Sequence, residues 1–293
     1  MIRLLPLLSL SLALTAAAEP GAWRIEAVPG VAPGPVTLAR VSLDTPDGPA
    51  AGLLATVDLT DPRVEVVVTG PPADPPPAPA EVPLEAVAAF AEGRDLDLAV
   101  NANYFGVCAG SSDADVLGLC VSDGVVVSPA RSFNGVPDPV LVFAEGGEAS
   151  IDADALTAFD AVAGIGASDT DPDHGGPLVL DGVSRGVDAR VEPLFRHPRT
   201  AAGLDAAGRT LTLVVIDGRQ PGHSVGVTLP ELADLLLARG VDDAINLDGG
   251  GSSVMVLGPA LATEGLTGSR PFEDRPVAAS LGIRVHPPAG AAP

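Results

Sequence analysis

The sequence predicts an α+β fold: a single large domain of mixed, twisted β-sheets with a few covering helices. Three observations carry that expectation. Helical segments at 84–92 and 229–239 each join consecutive apolar strands, as parallel crossovers do. Between them lie many short strands separated by Asp/Gly-rich loops, which is the pattern of an antiparallel meander and not of a pure doubly wound sheet. Finally, 46% of the 293 residues are hydrophobic and only 3% aromatic, so the chain can bury a large core made mostly of Val, Leu, Ile and Ala.

Residues 1–18 read as a secretory signal. Arg3 is the charged start, Leu4 to Leu14 is the apolar run, and Ala16, Ala17 and Ala18 are the small residues before Glu19. The run is too short to span a bilayer as a helix, and no Cys follows it to carry a lipid. The expected location is secreted or periplasmic, with no membrane anchor after signal cleavage. A Pro/Gly-rich lead covers 19–35, the main domain 36–286, and a disordered tail 287–293.

Within the domain, 36–43, 53–59 and 64–68 read as strands rich in β-branched residues. Residues 71–83 hold seven prolines and predict a surface loop of polyproline character. The 84–92 helix is expected to stop at Gly93, and strand 96–101 then runs into Asn101-Ala102-Asn103-Tyr104-Phe105. Short strands follow at 125–128, 139–144 and 178–180. Residues 211–216 form a buried strand ending at Asp217-Gly218-Arg219. Thr228 and Glu231 have capping-box spacing at the head of the second helix, which Gly240 ends. Strand 243–247 breaks at Asp248-Gly249-Gly250-Gly251, and strands at 254–257 and 277–285 complete the chain. Helix, Gly, strand and Asn thus occur in the same order at 84–101 and 229–246.

Composition excludes several chemistries. There are 38 acidic residues against 16 basic ones, a net charge of −22, and every basic residue is Arg. Without Lys there is no Schiff base, no pyridoxal-phosphate anchor and no Walker lysine. So acidic a chain repels phosphate in general, and nucleic acid is not an expected partner. In an oxidising compartment Cys108 and Cys120 are expected to form a disulfide worth about 3 kcal/mol.

Three strands end in polar pairs spaced i, i+2: Asn101 with Asn103, Asp217 with Arg219, and Asn246 with Asp248. Alternation along a strand would put each pair on one face, lining a shared cleft. The run Asp248-Gly249-Gly250-Gly251-Ser252-Ser253 lets a ligand approach the backbone, offers consecutive N–H groups to an anionic oxygen, and adds two hydroxyl donors. Two patterns read as decoys. Gly222-His223-Ser224-Val225-Gly226 matches a nucleophile elbow but lacks the strand before the Ser and the helix directly after it. Asp169, Asp171 and Asp173 alternate like the start of a calcium loop, but His174 stands where the loop needs Gly and Leu180 where it needs Glu. No cofactor is expected: Asp169, Asp171 and Asp173 read as a solvated acidic loop, with a bound calcium ion as the alternative.

Several segments, in order, resemble the phosphodiester glycosidase family. They are Gly176-Pro177-Leu178-Val179, Pro198 to Gly203, Val215 to Arg219, the Thr228-to-Gly240 helix, Asn246 to Ser253, and Arg275-Pro276-Val277. The similarity covers about residues 85–286. Where the family usually has Asn-Gly-Gly-Phe-Phe, this chain has Asn101-Ala102-Asn103-Tyr104-Phe105, so Asn103 departs from the pattern. The resemblance implies an enzyme that releases a sugar such as N-acetylglucosamine from a sugar-1-phosphate diester.

An anionic diester approaching this acidic chain needs a local positive site, which Arg199, Arg219 and Arg275 can supply as bidentate donors. Asp248 or Asp217 is expected to act at the anomeric carbon as nucleophile or general base, kept ionised by Arg199. Asn101, Asn103, Thr200, Asn246, Ser252 and Ser253, with the glycine turn, would hold sugar hydroxyls and phosphate oxygens. The residues also allow a phosphodiesterase cutting P–O bonds, an exopolysaccharide glycosidase, and a non-catalytic carbohydrate-binding module. The five positions Asn101, Arg199, Asp217, Asp248 and Ser252 are expected to share one pocket.

Overall fold

The computed structural model describes residues 21–133, 136–152, 161–166, 177–188, 194–273 and 275–288. The signal segment 1–18 and the Asp169, Asp171, Asp173 loop lie outside the described residues. Among the described residues no helix is long and apolar enough to cross a membrane.

Among the described residues, two α-helices and several sheets make up the α+β fold. The eight-stranded sheet contains, side by side, Gly48–Asp58, Thr210–Ile216, Arg199–Leu204 and Asp243–Asn246. A four-stranded sheet runs in the order Met255–Leu257, Leu98–Asn101, Ser280–Val285 and Val64–Val68. A five-stranded sheet holds Cys120–Ser122 and Val140–Ala144, and a three-stranded one pairs Val82–Pro83, Asp113–Val116 and Phe105–Val107.

The apolar runs follow from burial on both faces of the large sheet. Leu211, Leu213 and Val215 join Leu53, Ala55 and Val57 in the main core, while Val214 and Ile216 face the opposite side with Leu54. That second side is covered by helix α2, Leu229–Ala238. Its Leu229, Leu232, Leu235 and Leu236 are fully buried, each contributing roughly 1.5–3 kcal/mol. A strand covered on both faces has no reason to alternate, which is why LTLVVI reads as one apolar block.

The crossover expectation is half met. Each described strand pair that is hydrogen-bonded side by side is antiparallel. Yet Thr210–Ile216 and Asp243–Asn246, joined by α2, are both antiparallel to Arg199–Leu204 between them, and so parallel to each other. Helix α1, Val87–Gly93, likewise joins Val64–Val68 to Leu98–Asn101, with Ser280–Val285 inserted. Arg199–Leu204 is the hairpin neighbour of Thr210–Ile216, whereas Ser280–Val285 comes from the far end of the chain, which local pattern cannot reveal.

Helix ends differ from expectation on one side only. The Thr228–Glu231 capping box forms at α2, and Gly240 ends it at φ +78°. Helix α1 begins later than expected, has no side-chain cap and runs through Gly93. The left-handed residue after it is Asp95 at φ +51°. The expected disulfide is absent: Cys108 and Cys120 are both free. Cys120 is buried, its Sγ directed 3.6 Å from the Thr69 carbonyl, and burial pushes its thiol up to about 12. Its side chain is a core group of the five-stranded sheet, whereas Cys108 follows the Phe105–Val107 strand of a different sheet.

Candidate active site

The ends of the two sheets meet at one place. Asn246 lies opposite Ala201, and Arg199 opposite Ile216, so the chain leaves Asp243–Asn246 and Thr210–Ile216 at the edge where Arg199–Leu204 begins. The four-stranded sheet joins there through Asn101. Asp248 N–H donates to the Ala102 carbonyl (2.9 Å), and Asn101 Nδ2 donates to the Asp248 carbonyl (2.5 Å). Thr200 Oγ1 donates to Asn101 Oδ1 (2.7 Å), as does the Val254 amide (3.1 Å). Asn101 is fully buried, so it ties the two sheets to the turn and does not face a ligand. Thr200, also fully buried, shares that role.

Asp248 heads the glycine turn and is 8% exposed. Gly249 N–H donates to its Oδ1 (2.9 Å), Ser252 hydrogen-bonds its carboxylate, and Arg275 Nη2 stands 3.7 Å from Oδ2. Arg275 also donates to Ser252 Oγ from Nε (3.0 Å) and Nη2 (2.5 Å). Burial raises the Asp248 pKa above the ordinary aspartate value, and Ser252, Arg275 and the Gly249 amide only partly oppose it.

Each glycine of the turn has a close neighbour, and Gly250 also has a left-handed backbone. A Cβ at Gly249 would lie 3.0 Å from the Pro198 carbonyl oxygen. Gly250 has φ +62° and lies under the Arg219 guanidinium, and a Cβ at Gly251 would run into the Glu273 carboxylate. The expected anion nest is not what these glycines build. The amides of Gly249, Gly250, Ser252 and Ser253 donate to Asp248 Oδ1, Pro198 O, Gly249 O and Gly250 O within the local structure. Positive charge at the turn comes instead from side chains. Arg219, at φ +55°, rests over Gly250 with Nη2 3.3 Å from His197 Nδ1 and Cζ 5.8 Å from the Phe272 ring centroid.

Asp217, 5% exposed, accepts the Arg270 amide at Oδ1 (3.0 Å) and lies 2.8 Å from His223 Nε2 through Oδ2. Burial raises its pKa too, against the opposing His223 and Arg270 contacts. The expected charge partner of either aspartate, Arg199, is replaced by Arg275 at Asp248 and by His223 at Asp217. Arg199 is 4% exposed and reaches the Phe195 carbonyl with Nη2 (3.2 Å).

The i, i+2 argument fails where the strand ends. Asn103 Nδ2 donates to the carbonyls of Leu117 (3.1 Å) and Leu119 (2.9 Å), away from Asp248, because the strand stops at Asn101. Asn246 Nδ2 donates to the Tyr104 hydroxyl (2.8 Å) beside the turn. Ser253 is 2% exposed, and its buried hydroxyl has no hydrogen-bond partner among the described residues. Ser224, the elbow serine, is fully buried. Its hydroxyl donates to the Asp217 carbonyl (2.5 Å) and accepts the Ala51 amide (3.1 Å), which leaves no nucleophile.

Sequence reasoning misses the segment 269–275 except for Arg275. Arg270 reaches Asp217 through its amide and Gln220 Nε2 through its carbonyl (2.7 Å); Phe272 faces Arg219; Glu273 covers Gly251. His223 is hidden inside the elbow pattern, although it lies only six positions after Asp217. Among the described residues Asp181, Asp242 and Asp243 approach one another closely enough to share a cation, but they lie at the opposite end of the Asp243–Asn246 strand from Asp248.

Comparison with known proteins adds to this geometry. A family model described as phosphodiester glycosidase matches residues 94–284. The chain is 30% identical over 178 residues to the SPbeta prophage-derived uncharacterized protein YomE of Bacillus subtilis (strain 168), covering 58% of this chain and 25% of YomE. It is 46% identical over 65 residues to the Bos taurus N-acetylglucosamine-1-phosphodiester alpha-N-acetylglucosaminidase, covering 22% of this chain and 12% of that enzyme. The chain therefore aligns with a quarter or less of these curated relatives. Among solved structures, the catalytic domain of the zebrafish enzyme of the same name, auto-inhibited by its pro-peptide, superposes with a TM-score of 0.59 at 21% identity. That superposition covers 92% of this chain and 89% of that one, and it shows a shared fold.

Proposed function

The chain belongs to the phosphodiester glycosidase family, and from that premise we propose that it is an exported hydrolase cleaving the anomeric C–O bond of a sugar-1-phosphate diester. The observation that carries the reading is the arrangement at the glycine turn. A buried carboxylate, Asp248, is pinned at one oxygen by Gly249 N–H and has Arg275 on its other side, with Arg219 over the adjoining glycine. In a chain of net charge −22, two guanidiniums at one turn form a local site for an anion.

Asp248 is the reacting carboxylate in this proposal. It attacks the anomeric carbon directly or through a water that it deprotonates, while Arg219 and Arg275 hold the departing phosphate. A phosphate monoester is a good leaving group, so the reaction has less need of a strong general acid than ordinary glycoside hydrolysis. Asp217, with both oxygens engaged, holds His223 and the backbone at Arg270 in place. Asn246 and Tyr104 lie beside the turn, where sugar hydroxyls would sit. Export rests on the 1–18 segment.

The test is a panel of sugar-1-phosphate diesters incubated in heavy-oxygen water, with and without chelator. The label should appear in the released sugar and turnover should survive the chelator. Label in the phosphate would make the protein a phosphodiesterase. Cleavage of aryl glycosides alone would remove phosphate from the reaction, and saturable binding without turnover would leave a carbohydrate-binding module.

A further inference from the structure

Glu273 is out of place at an anion site. Its carboxylate and the Arg275 stem lie against the same point above Gly251, one residue from the glycine that Arg219 covers. It is exposed, and among the described residues it forms no ion pair, so its carboxylate shares the turn with the two arginines that the proposed reaction uses. A stabilising role would place it in a salt bridge; instead its carboxylate lies over the Gly251 backbone at the turn. Electrostatics supplies a different reason. A phosphodiester carries one negative charge, whereas a phosphate monoester at neutral pH carries about 1.5 to 2. A nearby carboxylate therefore repels the monoester more than the diester.

We propose that Glu273 is a specificity-determining residue that makes the site favour phosphodiesters over phosphomonoesters and speeds release of the monoester product. The inference rests on the proposed function above. Hydrolysis at the anomeric carbon adds water across the C–O bond: the sugar takes the hydroxyl, the phosphate keeps its bridging oxygen, and the acidic product loses a proton. The product left in the site is thus a more highly charged anion than the substrate. Two guanidiniums alone would hold it tighter than the diester; the Glu273 carboxylate offsets that preference.

Calorimetric titration of the full chain with a sugar-1-phosphate and with its methyl phosphodiester, in wild type, Glu273→Gln and Glu273→Asp, tests this. For Glu273→Gln the monoester should gain roughly 3- to 10-fold in affinity relative to the diester, and product inhibition should deepen correspondingly. Glu273→Asp, which retains the charge, should stay within about twofold of wild type. An unchanged ratio in Glu273→Gln, or an equal shift for both ligands, overturns the inference and leaves the proposed function standing. Failure of the wild type to bind either ligand overturns that function and this inference together.

Discussion

In residues 64–101 and in 210–246 a helix joins two parallel strands with one antiparallel strand between them, Ser280–Val285 in the first and the hairpin neighbour Arg199–Leu204 in the second. Both end in an asparagine at the same edge of the molecule. Beyond that point they part. Asn101 is fully buried, its amide spent on the Asp248 carbonyl, the Thr200 hydroxyl and the Val254 amide. Asn246 leads instead into a turn carrying Asp248 against Arg275 and Ser252. One unit supplies the frame and the other supplies the chemistry, and the difference lies in the residues just beyond each strand. After Asn101 the main chain stays packed, with Ala102 also fully buried, whereas three glycines after Asp248 let side chains approach the backbone closely.

Substitutions at the two ends should separate these roles. Asp248→Asn should lower kcat by about 10³-fold or more, roughly 4 kcal/mol of transition-state stabilisation, with the melting temperature held or raised. Asn101→Ala should do the reverse in kind. It strands the buried Thr200 hydroxyl and Val254 amide, so denaturant unfolding should show a loss of about 2–4 kcal/mol. A large catalytic loss in a fully stable Asn101→Ala variant would break the distinction.

The pH dependence sharpens it. Because burial raises the Asp248 pKa, the acid limb of kcat/KM should lie above the ordinary aspartate value of about 3.9. Arg275 opposes that rise, so Arg275→Met should move the limb to still higher pH. The stability sign is opposite to that of a salt-bridged aspartate. With a folded pKa above the unfolded one, ionised Asp248 works against folding at neutral pH, and that penalty fades as pH falls through the raised value toward about 3.9. Any stability gained by Asp248→Asn should therefore shrink over the same acidic window, followed as melting temperature against pH.

The smallest effect concerns the helices themselves. Thr228→Ala removes the hydroxyl half of the α2 capping box, leaving Glu231 on the backbone N–H, and should cost about 1 kcal/mol in denaturant unfolding. Ala86, at the equivalent position before α1, makes no side-chain cap, so Ala86→Ser should leave α1 no less stable. Equal responses at the two helices would mean that their ends are alike after all.

Much of this is legible in the residues, for definite physical reasons. The α2 cap, its Gly240 stop and the apolar blocks of the large sheet are short-range features, fixed by spacing and hydrophobic run. The turn at Asp248 stands out because three consecutive glycines after a buried strand are a backbone demand. Asn103 and the Cys108–Cys120 pair mislead for one shared reason: proximity in sequence is not proximity in space. Asn103 leaves the face of Asn101 once the strand has ended, and Cys120 opens a strand of the five-stranded sheet while Cys108 follows a strand of the three-stranded one.

Sequence alone determined which local pieces exist: two crossover helices, strands that end in polar residues, and a glycine turn headed by an acid, set by propensity and capping within a few residues. Tertiary structure alone decided which strands are inserted between the crossover pairs, and which cation meets which carboxylate. Arg275 reaches Asp248 across 27 positions and the Arg270 amide reaches Asp217 across 53, while Arg199, the cation expected from its motif, is 4% exposed and bonded to the Phe195 carbonyl. Long-range pairing depends on how whole sheets stack, and burial, not sequence spacing, sets the charge state of the groups brought together.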